Sequence, residues 1–287
     1  MVSDPALVLV AHGTRSTRGV RMIADLAEAV TRELGAPVRL SGGTVAEHGA
    51  AQAVRSVRGR GGNAAGAVTI ADRKPAGAPG GADAPPSGPT VRTAFVDVLG
   101  PSPSEVLRDL DSVPAVAVPA FLASGYHVYQ DVPREVAESG HTAVAVTPAM
   151  GPDPALARVM RIRLREAGWR PGDAVVFAAA GSSDARARHD VRVAARMLGE
   201  DLGSRVRVGY IATGAPRVPE VVASLRRSGA RRVFVASYLL AHGLFHERLH
   251  DCGADGVAEP IGVHPAVVRL LADRYRTAAR DLVRTAA

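Results

Sequence analysis

The sequence predicts an α/β protein of two tandem repeated domains. Each is a doubly wound parallel four-stranded sheet flanked by helices, with a cleft between the two. Three observations carry this expectation. Short apolar runs alternate with amphipathic segments along the chain, the pattern of βαβ units and a parallel sheet. The alternation then occurs a second time, with corresponding segments in the same order, so the fold is duplicated. Finally, 287 residues, 47% hydrophobic and 22% charged, suffice for two cores of about 100–150 residues each.

The elements follow in order. Leu7–Ala11 is an apolar run closed by His12-Gly13-Thr14, and Val20, Ile23, Ala24 and Ala27 continue it at helical spacing. The same pattern recurs as Val176–Ala179 closed by Ala180-Gly181-Ser182, followed by Val191, Ala194, Ala195 and Leu198; Ala180 stands 168 residues after His12. The second strand and helix, Arg92–Asp97 and Glu105–Leu107, match Arg207–Ala212 and Glu220–Val222 at an offset of 115. The third strand, Val116–Leu122, runs on to Gly125-Tyr126-His127, and Val116–Gly125 matches Phe234–Gly243 at an offset of 118. A fourth strand (Ala143–Thr147; Gly256–Glu259) and a closing helix complete each half, with Met150-Gly151-Pro152 recurring as Ile261-Gly262-Val263.

The fall in offset from 168 to 115 places 53 additional residues between the first two strands of the first half. Residues from about 50 to 90 are rich in Gly, Ala and Pro and lack periodicity, so they are expected to form a disordered insertion. The expected domains are 1–150, carrying this insertion, and 151–287, a degenerate copy.

The formal net charge is +7, and 34 of the 35 basic residues are arginine, Lys74 being the lysine. A basic chain admits nucleic acid or an acidic small molecule as partner. Aromatics make up only 4% and are not interleaved with basic runs, which argues against nucleic acid. No apolar stretch approaches the roughly 20 residues of a membrane span, and the N-terminus lacks a signal-peptide pattern. Cys252 stands alone, which suits a reducing compartment. A cytoplasmic protein without membrane contact is expected.

In open α/β sheets ligands bind beyond the carboxyl ends of strands. His12, Asp97 and His127 close three strands of the first half and are expected to face one crevice there. Two neutral imidazoles and a carboxylate suit a divalent first-row metal with positions left open for substrate. The second half has Ala180 for His12 and Ala212 for Asp97, keeping only His246 for His127. A scaffold role would favour the residues in both copies, so the asymmetry argues for function. Arg15 and Arg18, and the Ser182-Ser183 turn opposite, are candidates for binding an acidic ligand. Gly125 and Tyr126 are candidates for the wall.

With these residues in view, the chain resembles the sirohydrochlorin cobalto- and ferrochelatases, the class II chelatases, in their fused two-domain form. His12-Gly13-Thr14 after a strand, Ala94-Phe95-Val96-Asp97 before a Pro-Ser helix start, and Pro119–His127 followed by Asp131-Val132-Pro133 carry the likeness. The resemblance implies insertion of Fe²⁺ or Co²⁺ into the tetrapyrrole sirohydrochlorin, in siroheme or cobalamin biosynthesis. It implies that His12 and His127 bind the metal and accept the pyrrole protons, without an organic cofactor, in a monomer or homodimer. Where the family usually carries Glu, this chain has Asp97, one methylene shorter, which leaves open whether it touches the metal or acts through a neighbour.

Two other readings are possible. A tetrapyrrole- or metal-binding carrier would need the same residues without turnover. His246-Glu247-Arg248-Leu249-His250 also satisfies the HExxH pattern of zinc hydrolases, and His242 extends the spacing, so that His242 and His246 could form a second site. Gly253 interrupts that segment soon after His250, which disfavours the long helix a zinc hydrolase requires.

Overall fold

A computed structural model describes residues 4–35, 88–97 and 99–286. The expected insertion at about 50–90 lies, up to residue 87, outside the described residues. The first half contains β1 (Ala6–His12), α1 (Thr17–Glu33), β2 (Val91–Val96), α2 (Pro103–Asp109), β3 (Ala115–Pro119), a π-helical turn (His127–Asp131) leading into α3 (Val132–Ser139), β4 (Val144–Val146) and α4 (Pro154–Glu166). The second contains β5 (Ala174–Gly181), α5 (Ala185–Leu202), β6 (Val206–Thr213), α6 (Val218–Arg227), β7 (Val233–Tyr238), the short α7 (Leu244–Glu247), β8 (Gly256–Val257) and α8 (Pro265–Ala286).

Both sheets are parallel and four-stranded, in the orders β2-β1-β3-β4 and β6-β5-β7-β8. The expected fold class and its internal duplication are therefore observed. The central strands are covered on both faces, which is why they read as unbroken apolar runs rather than alternating ones. Alternate residues of β1 still serve different cores. Leu7, Leu9 and Ala11 join a cluster that includes Phe177, Ala179 and Tyr238 of the second half. Ala6, Val8 and Val10 pack with Val106 and Leu107 of α2 and Val132 of α3. An equivalent outer cluster joins Val176 and Ala178 of β5 to Val221 and Val222 of α6. Each large apolar side chain sealed in this way contributes about 1.5–3 kcal/mol.

The closing helices are exchanged between the halves. α4, which follows the first sheet in sequence, packs on α5 and β7 of the second, whereas α8 packs on α1, β3 and β4 of the first. Tyr275 of α8 donates a 2.6 Å hydrogen bond to the Pro5 carbonyl at the start of β1, and Arg276 reaches Glu33 of α1 at 3.7 Å. This exchange lets one continuous core run through both halves.

The loops that follow the strands also meet reciprocally. The α1 residue Gly19 lies so close to the His242 carbonyl that a Cβ there would come within 2.7 Å of it. Across the molecule, Gly125 faces Ala187 of α5, and the Ser124 N–H donates to Asp190 at 2.8 Å. Ala187 stands 168 residues after Gly19 and Gly243 stands 118 after Gly125, so equivalent segments of the two halves meet at both places. The loops after β1 and β3 of the first half therefore touch the loop after β7 and helix α5 of the second.

Candidate metal site

Three local features bring the first-half residues together. β1 pairs with β2 as far as His12 beside Val96, and the Gly13 N–H continues the ladder to the Val96 carbonyl at 3.0 Å. The chain then turns at once into α1, whose first turn is capped by the Ser16 hydroxyl. After β2, Asp97 takes a left-handed backbone conformation with φ 71°, which Asp tolerates better than most residues. Such a conformation costs of order 1–3 kcal/mol and is found mainly where a site needs it. After β3, the segment through Gly125 leads into the π-helical turn that begins at His127, a departure from α-geometry common at functional positions.

His12 Nδ1 lies 3.6 Å and His127 Nε2 3.7 Å from the same oxygen, Asp97 Oδ2. The two rings are 5.1 Å apart between centroids, and one donor atom from each of the three residues lies within 4.8 Å of the others. The separations from Asp97 are too long for direct hydrogen bonds. Donors sharing a tetrahedral cation at about 2.0–2.2 Å each would stand roughly 3–3.5 Å apart, so only a small contraction is needed. Among the described residues this is the only group of three or more potential metal ligands so arranged. Desolvation, reinforced by the neighbouring His127, lowers the pKa of His12 against the opposing pull of Asp97. His12 is therefore held towards its neutral form at pH 7, the form able to offer a lone pair to a metal or a proton.

Asp97, one methylene shorter than the Glu of the resembled family, thus lies between the two imidazoles within ion-pair range of both but without a direct hydrogen bond to either. Sequence reasoning gave no role to Asp131, which is buried and accepts a 2.6 Å hydrogen bond from His127 Nδ1. The four-residue spacing of His127 and Asp131 within one turn was the available signal. Phe121 stacks on the other side of the His127 ring at 6.0 Å.

The expected substrate-binding residues divide. Tyr126 is exposed and meets the His127 ring edge-on, and Gly125 lies at the contact with α5. Arg15 is exposed. Arg18 is turned towards Glu259, at 3.7 Å, which also pairs with His242 at 3.0 Å. The Ser182 hydroxyl accepts from the Asp184 N–H, and the Ser182 and Ser183 carbonyls accept from Arg188, so these groups are engaged locally. A cation missed in the sequence is Arg186, in the first turn of α5, which lies 4.6 Å over the exposed Tyr129 ring and so spans the two halves.

The second half has no comparable set. Ala180 and Ala212 replace two donors, and the Arg217 guanidinium donates to the Ala212 carbonyl, placing a positive charge by the strand end where Asp97 stands in the first half. His246 is buried and Nε2 donates to the Ala258 carbonyl at 3.2 Å. The HExxH segment begins in a four-residue helix; His242, His246 and His250 stack edge-on, but among the described residues they form no three-ligand group. Among the described residues, no helix is long and apolar enough to cross a membrane.

Comparison with known proteins gives a consistent picture. The family model named CbiX matches residues 83–167 and 174–278, one segment in each half. A sirohydrochlorin ferrochelatase of Priestia megaterium is 24% identical over 175 residues, covering 56% of this chain and 66% of that protein, just under two thirds of its length. Among solved structures, SirB from Bacillus subtilis with Fe³⁺ superposes with a TM-score of 0.68 at 18% identity, over 96% of each chain. SirB from Bacillus subtilis subspecies spizizenii in complex with cobalt gives 0.64 at 18% identity, over 96% of this chain and 95% of that one. At these identities the structural likeness establishes the fold.

Proposed function

The chain belongs to the CbiX family of sirohydrochlorin chelatases, and from that premise we propose that it inserts Fe²⁺ or Co²⁺ into sirohydrochlorin through His12, Asp97 and His127. The observation that carries this reading is the one-sided site: three convergent donors at the strand ends of the first half, set against Ala180, Ala212 and an arginine in the second. Relatives support it, since the curated match is a ferrochelatase and the SirB structures are described with Fe³⁺ and with cobalt. Imidazole and carboxylate accept both metals, so the donor set does not select one.

Insertion exchanges two pyrrole protons for one divalent cation, leaving the macrocycle core uncharged. The cation sits between the His12, His127 and Asp97 donors as substrate, with coordination positions open to the pyrrole nitrogens. As the cation passes from the imidazole nitrogens to the pyrrole nitrogens, the vacated imidazole lone pairs accept the two pyrrole protons. The Asp97 carboxylate, 3.6 and 3.7 Å from the two rings, stabilises the imidazolium charge that forms. The apolar disc lies in the crevice beside exposed Tyr126 and Tyr129, where Arg15 and Arg186 are placed to meet its carboxylate rim. The protein is incubated with sirohydrochlorin and Co²⁺ or Fe²⁺, and the absorbance change of the macrocycle is followed. Turnover above the uncatalysed rate separates an enzyme from a carrier, and a rate no higher than background rejects the proposal.

A further inference from the structure

We infer that Asp131, held by Arg134, is the positioning residue that fixes the tautomer and orientation of His127, so that Nε2 presents its lone pair to the metal. The inference rests on the proposed chelatase reading for its consequence in turnover, and on geometry alone for its structural content. His127 Nδ1 and Asp131 Oδ2 are 2.6 Å apart, the short distance of a charge-assisted hydrogen bond. A carboxylate can only accept here, so the ring proton resides on Nδ1 and Nε2 is left free. Nε2 is also the atom that faces Asp97. The second Asp131 oxygen, Oδ1, is 3.1 Å from Arg134 Nη2, so both ends of the carboxylate are fixed.

The surroundings explain why the arginine is needed. Asp131 and Asp97 share the wall of a cavity of 210 Å³ with Glu105 and Glu135, a concentration of negative charge. Arg134 lines the same cavity and also approaches Glu135 at 4.0 Å and Glu138 at 3.6 Å, offsetting part of that charge. Phe121 stacked on the imidazole limits ring rotation, so the carboxylate chiefly governs which nitrogen is protonated. The π-helical turn places donor and acceptor on one face of a single turn.

The test compares the full-length wild type with Asp131→Asn, Asp131→Glu and Arg134→Gln. The ¹⁵N chemical shifts of the His127 ring report its tautomer, calorimetry measures affinity for Co²⁺ alone, and turnover is recorded separately. The expected wild-type tautomer carries its proton on Nδ1. Asparagine can donate to Nδ1 and so shift the proton to Nε2, lowering Co²⁺ affinity by about 10–100-fold; Asp131→Glu restores part of the loss. Arg134→Gln moves both readouts in the same direction by less, and decides the matter if Asp131→Asn does not fold. A wild-type His127 protonated on Nε2, or variants with unchanged tautomer and Co²⁺ affinity, would overturn the inference. Asp131-dependent Co²⁺ binding in a protein without chelation would uphold it while rejecting the proposed function.

Discussion

At the scale of single residues, the account makes the site a shared grip on one cation, and each donor has a distinct expected effect. Replacing His12 or His127 by Ala removes a ligand and a proton acceptor together, and should lower the rate of insertion by about 10²-fold or more. Asp97→Asn keeps a side chain that tolerates the left-handed backbone, so a fall in rate without loss of thermal stability would isolate the carboxylate's chemical part. The lowered pKa of His12 gives the pH dependence its sign. The neutral form is the active one, so activity should be retained on acidification to pH 6.5 and lost below it, as His12 protonates; a rate that rises below pH 6.5 would contradict this. His12, Asp97 and His127 were legible because each closes an apolar run and two of them disappear in the second copy. Asp131 lies in the same motif, and its four-residue spacing from His127 places both on one helical face, but spacing alone does not say that its side chain turns inward.

At the scale of elements, the positions of the strands and the duplication were legible because buried parallel strands are apolar throughout and the same pattern recurs in the second half; the order of strands within each sheet was not. Nor was the exchange of α4 and α8. An apolar helix face specifies burial without naming the sheet that buries it, and α4 meets the second sheet although it follows the first. The exchange has a measurable consequence. Leu271 of α8 is fully buried against the shared core, so Leu271→Ala should cost about 2–5 kcal/mol. Because the core is continuous, urea should unfold both halves of this variant in a single transition; two separated transitions would show the halves to be independent. Gly19 offers a second test of element packing. Gly19→Ala would press a methyl against the His242 carbonyl, and such overpacking costs about 1–3 kcal/mol. Insertion activity should fall with it if the crevice shape matters.

At the scale of the whole molecule, the duplication divides labour. The first half keeps the three convergent donors, while the second sets Arg186 over Tyr129 of the first and has the Arg217 guanidinium beside Ala212, at the position of Asp97. His250 is exposed and outside the site, so His250→Ala should leave chelation unchanged, whereas a zinc hydrolase built on HExxH would lose its activity. The histidines also set a global pH response. Burial lowers the pKa values of His12, His242, His246 and His264 in the folded chain. As pH falls through about 6.5 the unfolded chain binds protons that the folded chain does not, so stability should decline below that pH. A urea midpoint higher at pH 5.5 than at pH 7.5 would contradict this sign. The most direct measurement is steady-state metal insertion into sirohydrochlorin by the wild type beside His12→Ala and His127→Ala, followed by absorbance with Co²⁺ and with Fe²⁺. Turnover above background is expected in the wild type and its loss in both variants; turnover that survives both substitutions undiminished would show that His12 and His127 do not carry the reaction.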